Sequence, residues 1–368
     1  MNFEKINVHK ILEIAKDIKD VEIFDDGTCS SCRKYFAKVK RIKPPYYDSI
    51  ESLLLSIRQT KNKKYNCIVG VSGGVDSSYV LVKAVELGLK PLAVHMDNGW
   101  NSELANNNIK NLCEKLNIDL YTHVIDWEEY REMMNCFFKA DVVDVELLYD
   151  NAMIAVNYNL ARKFKIKHIL AGTNHATEGV PMPKEWNWFK FDQKNIKSIV
   201  KKYNGPKFKT MPTFGIITYI LDTYVNKIKW IDFLDLFDYT KNLALEVLVN
   251  DFDYKPYPYK HYESVFTRFY QGYILPKKFG IDKRINHLSA EVLNGDLSKE
   301  DAVAMLAKSP YSAGGNVDLD KKYFLKKMNW KESDLTNYIA RDRREHSEFN
   351  NEKKLWEFFV KIYFFIKY

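Results

Sequence analysis

The sequence predicts an α/β protein, a doubly wound parallel sheet followed by a mainly helical C-terminal region. Three observations predict it. Asn66 to Gly88 reads as a strand, a glycine turn and a helix in direct succession. Short apolar runs then alternate with helical stretches as far as Ala171, the pattern of successive βα units. From Pro181 the alternation gives way to proline- and tryptophan-rich sequence and then to apolar and aromatic helical stretches. The 368 residues divide accordingly into an N-terminal segment with a linker over 1–60, an α/β domain over 61–185, and a helical region over 186–368.

In chain order, residues 8–20 read as a short amphipathic helix. Cys29 and Cys32 follow as a Cys-x-x-Cys in a turn. That spacing is half of a zinc knuckle, and a redox pair or a structural remnant are the other readings. Lys40 to Tyr47 reads as a basic linker, and a helix over about 47–61 leads into the strand at Cys67. The helix after the glycine turn runs Tyr79 to Leu87, with Asp76, Ser77 and Ser78 as its cap. Pro91 to Asp97 is the second strand. A helix (about 103–116), a strand (120–125), two helices (127–138 and 147–164) and a strand (168–171) complete the alternation. Asp150 and Asn151, near the start of one helix, read either as a cap or as chemistry. Helices fill the sequence beyond Leu288, one opening at Ser298 and the last spanning about 348–368.

Composition bounds the function. Hydrophobic content of 46% and aromatic content of 14% supply a substantial core, and a net charge of +8 points to anionic partners. Five cysteines, an odd number, argue against a disulfide framework. Met1 to Asp20 is charged throughout, unlike a secretory leader. No stretch reaches the roughly 20 apolar residues of a membrane helix. A cytoplasmic protein is expected.

The stretch from Val71 to Ser78 has the chemistry of a phosphate site. Gly73 and Gly74 admit positive φ and a close approach to the backbone, helix-start amides point outward, and Ser72, Ser77 and Ser78 add hydroxyl donors. Asp76 fits among phosphates when a divalent cation bridges them. An ordinary, well-capped strand-to-helix turn is the plainer reading. No Gly-Lys-Ser/Thr follows and no Gly-x-Gly-x-x-Gly is present, which excludes the Walker A loop and the dinucleotide fingerprint. His95, Met96 and Asn98 end the second strand, and Gly172, Thr173, Asn174, His175 and Glu178 follow another. Strand carboxyl ends near a switch point are where such sheets bind ligands. The run from Phe266 to Arg284 interleaves Arg268, Lys277, Lys278, Lys283 and Arg284 with aromatics. It reads as a nucleic-acid surface, as a pocket for an acidic sugar, or as a solvated basic face.

Ser72-Gly73-Gly74-Val75-Asp76-Ser77-Ser78 resembles the PP-loop of the ATP pyrophosphatases, which have an adenine nucleotide α-hydrolase-like fold. Such enzymes cleave ATP between the α and β phosphates and adenylate an oxygen of a second substrate. The pattern from Gly27 to about Asp301 is similar to one branch, the N-acetyl sugar amidotransferases of pseudaminic acid and O-antigen biosynthesis. That likeness also rests on Ala171 to Glu178, on His261 to Tyr270 and on Lys277 to Arg284. Relatives in this branch often carry a further cysteine pair near the N-terminus, and Met1 to Gly27 has none.

The resemblance implies conversion of an acetamido group to an acetamidino group with ATP and Mg²⁺. It implies Asp76 as the Mg²⁺ ligand, with Val71, Ser72, Gly73, Gly74, Ser77 and Ser78 around the phosphates. His95, Met96, Asn98, Gly172, Thr173 and Asn174 would complete the nucleotide site. His175 and Glu178 would orient the amide or take ammonia's proton, and Arg268, Lys277 and Arg284 would hold the sugar's anionic group. Zn²⁺ at Cys29 and Cys32 is the remaining metal expectation. The substrate would be an N-acetylated acidic or nucleotide-linked sugar. Position 2 is Asn, and no other cysteine has a nucleophile's context. Ammonia would therefore come from a separate HisH-like glutaminase with a HisF-like channelling subunit. No nucleic acid is expected. A PP-loop tRNA thiolation enzyme and a non-enzymatic nucleotide-binding scaffold are the alternatives.

Overall fold

The computed structural model describes residues 22, 24–25, 30–39, 46–257, 263–311 and 316–367. Among them, five parallel strands form one sheet in the order β3-β2-β1-β4-β5. These are β1 (Cys67–Gly70), β2 (Pro91–Asp97), β3 (Leu120–Val124), β4 (His168–Ala171) and β5 (Lys229–Asp232). The chain winds outward from β1 to β3, then returns to set β4 against the free side of β1. Strand order therefore reverses at the β1–β4 pair, where Ile68 lies opposite Ile169 and Val69 opposite Leu170. A crevice opens outside the carboxyl ends there.

The first helices are α1 (Ser30–Val39), α2 (Ile50–Arg58), α3 (Val75–Glu86), α4 (Glu103–Leu116), α5 (Trp127–Lys139) and α6 (Leu147–Phe164). Those from α2 to α6 fall close to the sequence expectation, whereas α1 was not expected. After β4 come α7 (His175–Glu178), α8 (Gln193–Lys202), α9 (Ile216–Ile220) and α10 (Lys241–Phe252). The C-terminal set is α11 (Val265–Phe269), α12 (Arg284–Asn294), α13 (Lys299–Ala307), α14 (Val317–Met328), α15 (Glu332–Ala340) and α16 (Lys353–Lys367). Local chemistry ends them where expected. Ser102 accepts the Ala105 amide at the start of α4, and Asn117 closes it at φ 51°. No described helix is long and apolar enough to cross a membrane.

Strand periodicity divides the interior in two. Cys67, Val69, Ala93 and Leu170 face a core closed by α2, α3, α4 and α10. Ile68, Leu92, Val94, Met96 and Ile169 face a larger core built with α5, α6 and the C-terminal helices. Successive strand residues point to opposite faces, so both faces of this parallel sheet are covered.

The structure departs from the sequence reading at several places, the first being α1, which puts Cys32 inside a helix where a Cys-x-x-Cys turn was expected. Helix α3 begins at Val75 with Gly74 as its N-cap, so Asp76, Ser77 and Ser78 form its first turn instead of preceding it. The region expected to be helical from residue 186 contains β5, which extends the sheet beyond β4. The aromatics of the basic run are largely core: Phe266, Phe269, Tyr270 and Phe279 are buried. They recur at helical spacing along α11 and its continuation as wide, π-type turns over 270–279. The last helix starts at Lys353, after a short turn at His346–Glu348. The expected helix at 8–20, Cys29, and His261 lie outside the described residues, as does most of the linker.

Candidate active site

The turn after β1 is built by its own side chains. Gly73 has φ +86°, and Tyr254 donates to its carbonyl at 2.9 Å. Ser72 Oγ accepts the Gly74 amide at 3.2 Å, and Ser77 Oγ accepts the Ser72 amide at 3.2 Å. Gly74 caps α3 without any side-chain acceptor, which leaves first-turn amides for an anion. Asp76 points from that first turn and is held from two sides. Thr177 Oγ1 donates to its Oδ2 at 3.2 Å, and the Tyr239 hydroxyl donates to Oδ1. Burial and the Asp76 charge push the Tyr239 hydroxyl well above its ordinary range, so it stays a donor.

The end of β4 closes against this turn. A Cβ at Gly172 would stand 2.8 Å from the Ser77 amide nitrogen, so only glycine permits the approach. Asn174 caps α7 by accepting the Thr177 amide at 2.9 Å, which presents Thr177 and Glu178 to the loop. From the far side comes a second strand-like contact. Ser264 bridges Asn101 in antiparallel fashion, the Glu263 carbonyl accepts the Ser102 amide at 2.8 Å, and the Trp100 carbonyl accepts the Val265 amide at 3.0 Å. The Glu263 carboxylate thereby lies over the loop, where a Cβ on Gly74 would meet it at 3.2 Å.

A cleft of about 590 Å³ runs from the loop across the ends of β1, β2 and β4 to the C-terminal helices. Its far wing holds an interlocked set of charges. Lys190 bridges Asp144 (2.7 Å) and Asp150 (2.9 Å), while Lys283 pairs with Glu146 at 2.8 Å. Gln271 donates to both Glu146 oxygens, at 3.0 and 2.8 Å. Burial raises the Asp150 carboxyl above its ordinary value, against the pull of Lys190. For Glu146 burial acts in the same direction but Lys283 and Gln271 outweigh it, so that carboxyl stays low.

Two family matches cover the two halves of this cleft. Residues 48–181 match NAD synthase, and residues 263–363 match the family described as LPS biosynthesis protein WbpG-like, C-terminal domain. The chain thus joins a region similar to NAD synthase to a region similar to the WbpG-like C-terminal domain. The first of these regions carries most of the parallel sheet, and the second is helical. No curated protein matches the sequence. Among solved structures, NMN synthetase from Francisella tularensis is 17% identical, with 48% of this chain and 71% of that one covered and a TM-score of 0.30. The NH3-dependent NAD synthetase from Campylobacter jejuni is 14% identical, over 72% of this chain and 96% of that one, at a TM-score of 0.30. Glutamine-dependent NAD+ synthetase from Acinetobacter baumannii is also 14% identical, over 80% of this chain and 48% of that one, at 0.32.

The cleft brings together Val71, Ser72, Gly74, Asp76, Ser77, Met96, Asn98, Gly172, Thr173 and Glu178. Other expected residues stand behind its wall. Gly73 shapes the turn, Ser78 is buried, and Asn174 caps α7. His95 is buried, donates from Nδ1 to the Val71 carbonyl at 2.9 Å and accepts the Asn101 amide at 3.0 Å on Nε2. Burial depresses its pKa and keeps it neutral. His175 turns away to Asp235, which accepts both its backbone amide (2.6 Å) and Nδ1 (2.7 Å).

The three cations expected on a sugar anion do not line the cleft. Arg268 forms a fork with Asp320, at 2.6 and 2.5 Å. Arg284 grips Asp282 and the carbonyls of Met305 and Lys308. Lys277 is exposed, 4.3 Å from the Tyr273 ring centroid. Lys190, Lys241 and Lys283 line it instead. Helical phase explains the exchange of Lys283 for its neighbour Arg284, because adjacent residues point about 100° apart.

Asp76 and Glu178 face the cleft beside the phosphate turn, and hard carboxylate oxygens there suit Mg²⁺, which takes one or two protein ligands and completes its shell with phosphate and water. No group of three or more His, Cys, Asp or Glu that could hold a metal occurs among the described residues. Cys29 lies outside them, and Cys32 is buried in α1.

Sequence reasoning missed Tyr239, Tyr254, Lys190 and the role of Glu263. Only Glu263 carried a signal, its place in the motif that resembles the sugar branch.

Proposed function

We propose that this protein converts an acetamido group of a bacterial surface sugar to an acetamidino group, with ATP cleaved to AMP and pyrophosphate. The observation that carries the reading is the cleft itself. A phosphate cradle at one end faces, across one continuous space, a polar wing built partly by the WbpG-like region.

An amide carbon is a poor electrophile and its oxygen a poor leaving group. In the proposed reaction the amide oxygen attacks the α-phosphorus and pyrophosphate departs. Ammonia then adds to the imidate carbon, and the former amide oxygen leaves with AMP. The turn amides with Ser72 and Ser77 hold the departing phosphates, where preorganised donors act most strongly. Asp76, fixed by Thr177 and Tyr239, and Glu178 would hold the magnesium ion, which supplies charge neutralisation on the phosphates when bound. Asp150, whose carboxyl is raised by burial, is suited to accept a proton from the incoming nitrogen. Phe266 and Tyr149 line the wing where a pyranose would sit, and Gln271 and Lys283 offer donors.

Ammonia would arrive from a separate glutaminase with a channelling subunit. In support, Cys67, Cys113 and Cys136 are buried, and burial pushes their thiols up, that of Cys113 to about 12 and that of Cys136 to about 11.

The test is mass spectrometry after incubation with ATP, Mg²⁺, ammonium and a panel of N-acetylated acidic and nucleotide-linked sugars. A product in which NH replaces one oxygen, formed in step with AMP, is the expected result. AMP release only with tRNA and a sulfur donor would overturn the reading. Equal turnover with glutamine in place of ammonium would overturn the separate glutaminase.

A further inference from the structure

Directly behind the phosphate turn the cleft has an apolar wing. Val94 and Met96 of β2, Ile169 and Leu170 of β4, and Met153 and Val156 of α6 wall it. Asn157 lines the same wing from the middle of α6 and is only 1% exposed. Its amide is oriented by its surroundings. Nδ2 donates to the Met153 carbonyl at 2.8 Å and lies 3.4 Å from Met153 Sδ, and both of those are acceptors. Turning the amide over would set Oδ1 against them. Oδ1 itself has no hydrogen-bond partner. Facing it is Gly70, where a Cβ would stand 3.4 Å from Nδ2 and 3.5 Å from Oδ1, so a side chain there would cover the amide.

A buried carbonyl oxygen without a donor is costly, and one that lines a cleft calls for a donor from a water or a ligand. The slot around it is apolar, and an aromatic base is the kind of group that fits such a slot. Gly70 immediately precedes the phosphate turn, so a base in the slot is within reach of phosphates in the turn through a ribose. We propose that Asn157 Oδ1 accepts a hydrogen bond from the exocyclic amine of adenine and thereby selects ATP over 6-oxopurine nucleotides. A 6-oxopurine sets an acceptor against Oδ1, and the fixed amide has no donor to offer in exchange. The inference rests on the ATP-using reading and is independent of the acceptor sugar.

The experiment is calorimetric titration of the full-length protein, with Mg²⁺ and without acceptor, by three nucleotides that differ at purine position 6. These are ATP (amine), purine riboside triphosphate (hydrogen) and ITP (oxo). ATP is expected to bind about fivefold tighter than the unsubstituted purine and about tenfold or more tighter than ITP. In Asn157→Leu, checked for folding by its melting curve, the three should fall within about twofold of one another. Gly70→Ala, which sets a methyl against the amide from the other side, should narrow the series in the same direction and serves if the leucine variant does not fold. Equal binding of all three by the wild type overturns the role of Asn157 and leaves the ATP site standing. Retention of the wild-type order in a folded Asn157→Leu protein overturns it as well. Binding of none overturns both.

Discussion

Asp76 owes its position to Thr177 and Tyr239, residues 101 and 163 positions away in the chain. In the proposed reaction its carboxylate is needed and its shape is not. Asp76→Asn should therefore keep the melting temperature while AMP formation falls about 100-fold or more, measured by AMP release with saturating acceptor. Tyr239→Phe removes one support and leaves the carboxylate, so its signature should be a raised Mg²⁺ requirement with a smaller loss of rate. Two buried histidines set a pH dependence. His168 and His346 are each pushed from the ordinary 6.5 to about 4, chiefly by burial. The unfolded chain binds their protons first as pH falls, so the native state is favoured above about 6.5 and loses that advantage down to about 4. Each is worth on the order of 3 kcal/mol across that window. Denaturant midpoints measured at pH 7 and pH 4.5 should show the drop, and a His346→Gln variant should reduce it by about half, His168 supplying the rest.

Between elements, the decisive contacts are close approaches of backbone and buried ion pairs. The end of β4 touches the first turn of α3 at Gly172. Gly172→Ala should push that turn away and lower kcat/KM for ATP by about 10- to 100-fold, with a modest loss of stability, since sub-ångström displacement of reacting groups is amplified in rate. Arg268 tells the opposite story. Its fork with the buried Asp320 ties α11 to α14. Arg268→Ala should cost about 3 kcal/mol of stability, because Asp320 is left as an uncompensated charge, while KM for the acceptor changes little. A large KM effect with unchanged stability would return Arg268 to the substrate.

On the scale of the molecule, the α/β sheet and the C-terminal helices share one core. Trp100, at the loop after β2, is fully buried against Phe266 and Phe324 of the helical region, with ring centroids 5.3 and 6.0 Å apart. Trp127 and Tyr323 cover its edges. Heat should unfold the two regions in one transition, seen together by circular dichroism and tryptophan fluorescence. Trp100→Ala should lower that transition by about 3–5 kcal/mol. Separation into two transitions in the wild type would show that the regions fold independently.

The sequence by itself determined the succession of strand, turn and helix at Cys67–Glu86 and the boundaries of α6 and β4, because each depends on neighbours within a few residues. Thr173 follows the end of β4 as expected, whereas Glu178 belongs to the short helix α7 that the sequence did not announce. Tertiary structure alone decided the rest. The strand β5 is four residues long, and only Ile231 among them is fully buried, so no periodicity could declare it until β4 offered a partner. Basic residues interleaved with aromatics look alike in sequence whether they bind a ligand or clasp a helix. Which of Arg268, Lys283 and Arg284 reaches the cleft depends on helical phase and on distant acids such as Asp320 and Glu146. Asn157 is the same case. Nothing local marks one asparagine in an apolar helix, and only packing against Gly70 leaves its carbonyl buried and without a donor.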